Sequence, residues 1–451
     1  MSFSAASLHA ALEACVPAEA AGLVVALSGG ADSAALLAAA AELSPRFRGL
    51  PLRAIHIDHG LQVAAADFRR ACEALCSHLG VPLTTVAIDI VGASSTSVEA
   101  AARGARYAAF ASELRPRECL LTAHHRKDQA ETVLLQALRG AGVKGMSAMP
   151  DCRVLGAGWH VRPLLEIQQS ELRQFSTQLQ FRTKRKFTAA DPMNEDLRFD
   201  RVYLRNAAWP LLEKRWPGAE IALARTAGHL ADAQQLLDLA AGADVARLRD
   251  GEALSVRGLR ALPALKRVNA VRLWLSEAGV EAPSTARLVE ALRQVFDAGP
   301  DQQPSVVWGA KALRRYRDRL FVTEAEPPRL DDARPWSVAE GSAIELGPRL
   351  GRLMWLAQPG GIARETLPPV VTVRRREGGE TLKPARLAKT QTVQHLCQSL
   401  GVLPWMRDAL PLVFAGDELI AVADLWMEAR FCAPANAPGL QVAWNNAPAV
   451  T

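Results

Sequence analysis

Val24-Val25-Ala26-Leu27-Ser28-Gly29-Gly30-Ala31-Asp32-Ser33-Ala34-Ala35-Leu36-Leu37 is the stretch that decides the fold. Its apolar start predicts a buried strand, Ser28–Ser33 predicts a glycine-rich turn, and the Ala/Leu run predicts a helix. Such a turn gathers backbone N–H groups into one concavity, and the helix dipole adds partial positive charge there. The stretch therefore predicts a phosphate-binding loop; a plain Gly-Gly turn between core elements is the alternative.

The residue types in this loop suggest separate roles in phosphate binding. Glycines let a phosphate approach the main chain closely, and the two serines offer hydroxyl donors. Asp32 cannot attract phosphate by charge, so we expect it to hold a Mg²⁺ ion on that phosphate. The predicted nucleotide-binding residues here are Ser28, Gly29, Gly30, Ala31, Asp32 and Ser33. Neither a Walker Gly-Lys-Ser/Thr ending nor a Gly-x-Gly-x-x-Gly fingerprint is present.

Bulk composition narrows the class of protein. A chain of 451 residues with 49% apolar content predicts two to four folded domains. No apolar run is long enough for a membrane span, and the N-terminus lacks a signal-peptide pattern, so we expect a cytoplasmic protein with no membrane partner. The net charge of +6 suits a polyanionic partner without requiring one. Seven scattered cysteines without a Cys-x-x-Cys pair argue against a disulfide scaffold or a zinc site.

Apolar strands alternate with helical runs through the first half of the chain. The strand candidates are Leu23–Leu27, Leu52–Asp58, Leu83–Ile88 and Glu118–Ala123. The helix candidates are Ala34–Leu43, Ala64–Leu79, Ser97–Leu114 and Asp128–Leu138, the third opened by a Thr96-Ser97-Val98-Glu99 capping box. This order predicts an α/β fold with a parallel sheet covered on both faces, and ligands beyond the carboxyl ends of the strands.

Composition changes divide the chain into three predicted domains. Residues 1–215 form the α/β domain and end in a strongly basic segment. Residues 216–325 have the Leu/Ala periodicity of a mainly helical domain. The polar stretch Glu324-Ala325-Glu326-Pro327-Pro328 is a linker candidate, and residues 336–451 predict a small α/β module.

Polar residues follow the second predicted strand and occur in the third helix. Asp58 and His59 come at the strand end, where an acidic group can hold a nucleotide ribose; plain strand-end polarity is the alternative. Arg103 and Arg106 lie three apart and share a helix face, where guanidinium groups suit phosphate charge. A solvated salt-bridging face is the alternative, and it is stronger for Arg103 than for Arg106.

The fourth strand leads into Thr122-Ala123-His124-His125-Arg126-Lys127-Asp128-Gln129-Ala130-Glu131-Thr132. Asp128 and Glu131 would share one helix face and could hold an ammonium group or Mg²⁺. Capping of the helix N-terminus by acidic residues is the alternative. A zinc site on His124 and His125 is weaker, because adjacent strand residues point to opposite faces.

The Ser28–Ser33 loop resembles the PP-loop of ATP pyrophosphatases, and the wider pattern resembles the tRNA(Ile)-lysidine synthase family. The resemblance covers most of the chain, and its C-terminal part makes it more specific than the loop alone. It rests on Ser28–Ser33, His56–Gly60, Glu99–Tyr107, His124–Thr132, Arg139–Gly142, Arg162–Leu165, Asp191–Asn194, Arg376–Glu380 and Pro404–Asp408.

The resemblance implies an adenine nucleotide alpha hydrolase-like fold and a two-step reaction. ATP adenylates the C2 carbonyl oxygen of the wobble cytidine in a CAU-anticodon isoleucine tRNA, and the amino group of free lysine then displaces AMP to give lysidine. The implied catalytic residues are Asp32, Arg106, Asp128 and Glu131, with ATP and Mg²⁺ as cofactors. Asp128 and Glu131 would hold the lysine, and a homodimer is one expected assembly.

Contacts with tRNA are expected from basic residues in all three domains. Phosphate contacts position an RNA, whereas splayed anticodon bases are read individually. A solvated surface is the alternative for any single arginine. The candidates are Arg201, Arg205, Arg314, Arg315, Arg374, Arg376 and Arg407.

Departures from the family pattern keep two other functions open. Lys127 stands where relatives often carry Asp, and the segment 188–202 lacks several family residues, including Asn after Arg201. A catalytically silent RNA-binding protein of the same fold is one alternative. A PP-loop tRNA thiolase is another, although it would need reactive cysteines that no Cys-x-x-Cys pair here supplies.

Overall fold

A computed structural model describes residues 3–44, 46–58, 65–88, 98–189, 196–299, 302–330, 332–385, 387, 389–448 and 450. Within these ranges the chain divides into two compact units, Met1–Leu237 and Asp238–Thr451. Each unit has its own hydrophobic core. The proposed three-domain division at 215 and 325–336 stays a prediction.

The first unit is built on a six-stranded sheet with strand order β3-β2-β1-β4-β6-β5. Its strands are β1 (Gly22–Leu27), β2 (Leu52–Asp58), β3 (Leu83–Ala87), β4 (Glu118–Leu121), β5 (Cys152–Leu155) and β6 (Gly158–Val161). β1 pairs in parallel with both β2 and β4, with Val25 opposite Leu121. The predicted parallel sheet is confirmed. The antiparallel β5–β6 hairpin at its edge was not predicted, because these short strands lack a long apolar run.

Helices flank these strands. They are α1 (Ala5–Cys15), α2 (Ala31–Leu43), α3 (Ala65–Leu79), α4 (Val98–Glu113), α5 (Arg126–Leu138), α6 (Val143–Met146), α7 (Gln169–Thr183), α8 (Asp200–Tyr203) and α9 (Trp209–Arg215). A π-helical turn, Leu204–Ala208, joins α8 to α9. The predicted helix α2 starts three residues earlier than expected, because the chain turns helical directly after Gly30. Part of the predicted capping box, at 96–97, lies outside the described residues.

The apolar run of β1 is explained by burial on both faces. Leu23, Val25 and Leu27 belong to one hydrophobic cluster, and Val24 belongs to another. Because successive strand residues point to opposite faces, a continuous apolar run fits a strand covered on both sides. This packing fixes β1, and therefore the point at which the Ser28–Ser33 loop leaves the sheet.

The second unit contains helices followed mainly by antiparallel strands. Its helices are α10 (Ala219–Leu248, which begins in the first unit), α11 (Val256–Ala261), α12 (Ala264–Glu277), α13 (Thr285–Asp297) and α14 (Val393–Leu400). Its strands are β7 (Arg249–Asp250), β8 (Ala253–Ser255), β9 (Ser305–Trp308), β10 (Lys311–Tyr316), β11 (Arg319–Glu324), β12 (Arg334–Ser337), β13 (Ala343–Gly347), β14 (Gly351–Ile362), β15 (Val370–Arg374), β16 (Thr381–Leu382), β17 (Gln391–Thr392), β18 (Leu412–Ala415), β19 (Glu418–Val422), β20 (Trp426–Met427) and β21 (Leu440–Asn445).

The helical prediction for the middle of the chain is confirmed, but a five-stranded sheet, ordered β7-β8-β11-β10-β9, was missed. Its hairpin β10–β11 is rich in arginine, and Leu313, Leu320 and Val322 form the apolar face that packs on α12 and α13. The C-terminal module is largely antiparallel sheet with one helix. Its core includes the stacked rings of Trp336 and Trp355, whose centroids lie 4.5 Å apart.

Candidate active site

The Ser28–Ser33 loop connects the carboxyl end of β1 to the N-terminus of α2. The Ser28 N–H donates to Ser33 Oγ (3.2 Å), and the Gly30 N–H donates to Ser28 Oγ (3.2 Å). The two hydroxyl oxygens lie 3.1 Å apart. The serines thus hold the loop in shape from within. Gly30 is the N-cap of α2 and supplies no side-chain acceptor to the first turn of the helix, which suits an external anion there.

Gly29 is required by the shape of this loop. Its φ of +80° is a conformation that side chains rarely adopt, and an added Cβ would lie 3.1 Å from Phe68 Cα and 2.9 Å from Phe68 Cδ1. Its carbonyl accepts from the Ala189 N–H at 3.0 Å. Any residue with a side chain would therefore have to displace the Phe68 backbone.

Asp32 lies in the first turn of α2 with its carboxylate partly buried. Oδ2 accepts from Gln169 Nε2 at 3.1 Å and lies 3.7 Å from His125 Nε2. Oδ1 is buried and has no hydrogen-bond partner among the described residues. A buried carboxylate oxygen with no donor fits a cation, and Mg²⁺ commonly takes one or two protein carboxylates together with substrate phosphates.

The described residues form no cluster of three His, Cys, Asp or Glu side chains that could hold a metal by themselves. An ion at Asp32 would therefore depend on oxygen ligands from a bound phosphate.

Asp128 and Glu131 lie one turn apart on α5, as the sequence predicts, and both are buried. His125 connects them to Asp32, because its Nε2 lies 3.4 Å from Asp128 Oδ2. The His125 backbone N–H also donates to Asp128 Oδ2 at 3.0 Å. Burial by itself would raise the pKa of Asp128, but His125 and Arg201 outweigh it and hold that pKa below its usual value.

Arg201 and Arg205 each form ion pairs with both carboxylates of the acidic pair, Asp128 and Glu131. Arg201 contacts Asp128 Oδ1 at 3.0 Å and Glu131 Oε2 at 3.1 Å. Arg205 contacts Asp128 Oδ1 at 3.2 Å and Glu131 Oε2 at 2.7 Å. Burial would lower the pKa of Arg205, yet Glu131, Asp128 and Asp32 outweigh it and raise that pKa. Two carboxylates thus pair with two guanidinium groups, so the formal charges of these four side chains balance.

The other predicted site residues of the first unit are more dispersed. Asp58 ends β2, and its Oδ2 lies 3.9 Å from Arg69 Nη1. His59 lies outside the described residues. Arg106 is exposed on α4, and the guanidinium of Arg103 lies 5.2 Å from the Tyr107 ring centroid. The nucleotide roles of these groups stay predictions.

The predicted tRNA-contacting arginines of the second unit all have partners within the chain. Arg314 donates to Thr323 Oγ1 and Ala325 O, and Arg315 donates to Val295 O and Ala298 O. Arg374 lies 3.9 Å from the Phe414 ring centroid, Arg376 pairs with Asp408, and Arg407 donates to Val402 O. Each stays half-buried, so a phosphate could reach it, and the tRNA assignment stays a prediction.

Sequence reasoning missed several residues around the site. Gln169 contacts Asp32 although 137 positions separate them, and no local pattern indicates this. His160 and Arg162 lie in and just after the unpredicted strand β6, where they form a buried hydrogen-bonded group with Thr122 and His124. The basic segment at 181–215 was noticed, but charge alone could not show that Arg201 and Arg205 turn inward.

Comparison with known families accounts for most of the chain. The PP-loop domain matches residues 4–212, the TilS substrate binding domain matches residues 254–321, and the TilS substrate C-terminal domain matches residues 371–444. The first match contains the Ser28–Ser33 loop and the Asp128–Glu131 pair. The second contains β10 and the first half of β11.

Curated relatives match nearly the whole chain. A tRNA(Ile)-lysidine synthase of Alkalilimnicola ehrlichii is 39% identical over 92% of this chain and 92% of its own length. Those of Coxiella burnetii and Pseudomonas aeruginosa are 36% and 37% identical, over 93% and 90% of this chain and 92% and 90% of their own lengths. With these relatives and matches to the PP-loop domain and both TilS domains, the chain belongs to the tRNA(Ile)-lysidine synthase family.

Proposed function

We propose that this protein joins free L-lysine to C2 of the wobble cytidine of a CAU-anticodon isoleucine tRNA, with ATP converted to AMP and pyrophosphate. The observation that carries the proposal is the adjacency of two sites. The PP-loop carries Asp32, which has one buried carboxylate oxygen without a hydrogen-bond donor. The imidazole of His125 lies between Asp32 and the buried acidic pair on α5. One site suits a nucleotide and the other suits an amine, and lysidine formation needs both.

The Ser28–Ser33 loop and the start of α2 would carry out the adenylation step. The cytosine carbonyl is a poor electrophile, and transfer of AMP to its oxygen supplies a good leaving group. The free N-terminal amides of α2 and the loop backbone would hold the phosphates. Mg²⁺ bound at Asp32 Oδ1 would supply charge neutralisation for the departing pyrophosphate. Gln169 keeps the Asp32 carboxylate oriented, because it donates to the other oxygen.

The acidic pair would receive the lysine amine. Glu131 is fully buried and Asp128 nearly so, and both accept from Arg201 and Arg205. A cationic amine that enters this cluster would compete with the arginines for the same oxygens. A carboxylate released in this way can accept the proton that the amine must lose before it attacks. Arg201 and Arg205 would then influence lysine binding through the acidic pair, in addition to any contact with a tRNA phosphate.

Cysteine burial argues against thiolase chemistry. Burial raises the pKa of the Cys15, Cys72 and Cys119 thiols to about 12, and that of Cys76 to about 11. A thiolate is the reactive form, and these thiols would remain protonated at neutral pH.

Lys127 is one of the departures that support the alternative of a catalytically silent protein. Its Nζ lies 5.5 Å from the Trp209 ring centroid, so its charge interacts with that aromatic face.

We further infer that the protein works in the reducing cytoplasm, since all seven cysteines are free thiols. No helix in the described part of the chain is long and apolar enough to cross a membrane. A homodimer remains a prediction, and sedimentation at several concentrations checks it.

The decisive experiment is mass spectrometry of a CAU-anticodon isoleucine tRNA after incubation with the protein, ATP, Mg²⁺ and lysine. We expect the wobble cytidine to gain one lysine with loss of water, and AMP and pyrophosphate to appear in equal amounts. Omission of lysine should allow ATP–pyrophosphate exchange that still depends on tRNA. Binding of tRNA without exchange would indicate a silent protein, and gain of sulfur would indicate a thiolase.

A further inference from the structure

Behind the predicted site residues, four polar side chains form one line of hydrogen bonds. Arg162 Nη2 lies 3.0 Å from His160 Nδ1, His160 Nε2 lies 2.8 Å from Thr122 Oγ1, and Thr122 Oγ1 lies 2.8 Å from His124 Nδ1. His160, Arg162 and Thr122 are buried. Arg162 is anchored at its other end, because Nη1 donates to Pro150 O at 2.6 Å.

Arg162 determines the direction of the first two bonds in this line. A guanidinium can only donate, so His160 Nδ1 must accept, and the neutral His160 ring carries its proton on Nε2. That proton goes to Thr122 Oγ1. Thr122 Oγ1 keeps one proton to donate, and His124 Nδ1 is its other partner in the described part of the chain. When the hydroxyl donates to His124 Nδ1, the proton of a neutral His124 ring sits on Nε2.

Both histidines stay neutral in this setting. Burial lowers the pKa of His124 to about 3, and the positive charges of Arg162, Arg201 and Arg103 act in the same direction, whereas Asp128 opposes them. Burial and Arg162 likewise lower the pKa of His160 to about 2. His124 is therefore set up as a fixed donor and not as a group that takes up protons near neutral pH.

The position of His124 places it beside the phosphate loop. Val25 of β1 pairs with Leu121 of the neighbouring strand β4. Ser28 and His124 each follow three residues later, so they leave adjacent parallel strands at the same level, where strands lie about 4.8 Å apart. His124 is only partly buried, unlike the groups that precede it in the line.

We propose that Arg162, His160 and Thr122 are positioning residues that lock His124 in its Nε2–H tautomer, and that this N–H donates to an anionic oxygen of the nucleotide during adenylation. A neutral donor with a fixed proton contributes a hydrogen bond without releasing or trapping a proton at the reacting centre. The inference rests on the proposed function for its kinetic part only, because the tautomer exists in the protein without substrate.

The test begins with the full-length protein labelled with ¹⁵N-histidine. Long-range ¹H–¹⁵N correlations distinguish protonated from bare ring nitrogens, and His124→Gln and His160→Asn variants identify the two signals among nine histidines. We expect both rings to carry the proton on Nε2 between pH 6 and 8. We also expect the His124 Nε2 signal, and not that of His160, to shift when ATP is added. A charged ring or an Nδ1–H tautomer at His124 would overturn the proposal, whether or not the protein makes lysidine.

Substitutions at Thr122 test the kinetic part of the proposal. Thr122→Val removes the hydroxyl at nearly constant size, so His124 should become a mixture of tautomers and kcat for adenylation should fall about tenfold. Thr122→Ser keeps the hydroxyl and should restore both the tautomer and the rate. Thr177→Val, on an exposed part of α7, is the matched control. If the tautomer becomes mixed in Thr122→Val while kcat stays within about twofold of the parent, His124 is not the donor.

Discussion

At the scale of single residues, the site depends on polar atoms without a hydrogen-bond partner as well as on those that have one. The two oxygens of Asp32 differ: Oδ2 accepts from Gln169, whereas Oδ1 is buried without a donor. A carboxylate held by one oxygen leaves the other oriented for a cation. The same carboxylate lies close enough to His125 to couple the phosphate side of the site to the amine side.

Replacement of Asp32 by Ala should abolish adenylation while it leaves tRNA affinity nearly unchanged. Loss of the cation ligand should cost at least about a hundredfold in ATP–pyrophosphate exchange, because charge on the leaving pyrophosphate is no longer neutralised. Asp67→Ala, which removes an exposed carboxylate paired with Arg70 on α3, is the control. Exchange by Asp32→Ala within about threefold of the parent would contradict the metal role.

Glu131→Gln should raise the KM for lysine about tenfold and leave the KM for ATP within about twofold. The carboxylate is fully buried against Arg201 and Arg205, so its loss leaves the cluster too positive for an ammonium group. Steady-state rates at varied lysine and varied ATP check this, with Glu42→Gln on an exposed part of α2 as the control. Equal changes in both constants would assign Glu131 to helix capping and packing.

At the scale of elements, the register of three parallel strands brings the site together. β2, β1 and β4 are adjacent and parallel, so their carboxyl ends lie at one edge of the sheet. At the opposite edge, Arg53 of β2 and Glu118 of β4 form an ion pair 2.5 Å long on either side of Gly22, the first residue of β1. This pair ties the two neighbours of β1 to each other.

Glu118→Gln should lower the free energy of unfolding by about 3 kcal/mol at pH 7, because it leaves the partly buried Arg53 without its charged partner. Burial would raise the pKa of Glu118, but hydrogen bonds from Arg53 and the Arg115 N–H outweigh it and lower that pKa. A lowered carboxyl pKa stabilises the fold above the unfolded-state pKa, and the contribution is lost as pH falls through the folded-state value.

Urea unfolding at pH 7, 5 and 3.5 checks this expectation. The difference between parent and Glu118→Gln should narrow as the pH falls, since the parent then loses the same charge. Glu13→Gln, which breaks an exposed pair with Arg48, should have a much smaller effect at every pH. A difference independent of pH would mean that the two proteins differ in packing and not in charge.

At the scale of the whole molecule, contacts within the second unit join residues on the two sides of the predicted linker. The Phe321 ring of β11 lies 5.4 Å from the Trp405 ring, and Arg317 donates to Gln398 O. Both contacts join the middle of the chain to the C-terminal module within one unit. Deletion from about residue 336 is expected to weaken tRNA binding and spare ATP binding. It would also expose Phe321, so single substitutions isolate the charge contribution better.

Arg375 is exposed and lies between the predicted tRNA contacts Arg374 and Arg376. Arg375→Gln and Arg376→Gln should each weaken tRNA binding and leave the KM for ATP unchanged. Each lost phosphate contact should reduce the slope of log affinity against log salt by about one, because one fewer set of counterions is released. Filter binding at several salt concentrations measures this, with Arg70→Gln on α3 as the control. An unchanged affinity and slope in both variants would mean that residues 374–376 form an ordinary solvated surface.

The sequence by itself determined the α/β fold of the first unit, the loop at Ser28–Ser33 and the placement of Asp128 and Glu131 on one helix face. These features depend on contacts between residues near in sequence, and periodicity, glycines and helix spacing report such contacts directly. Only the tertiary structure decided that Gln169 orients Asp32, that Arg201 and Arg205 neutralise the acidic pair, and that Arg162 reaches His124 through His160 and Thr122. Gln169 lies 137 positions from Asp32, the two arginines lie 70 to 77 positions from the acidic pair, and His160 lies 38 positions from Thr122. Only the folding of the chain brings these partners within hydrogen-bond distance.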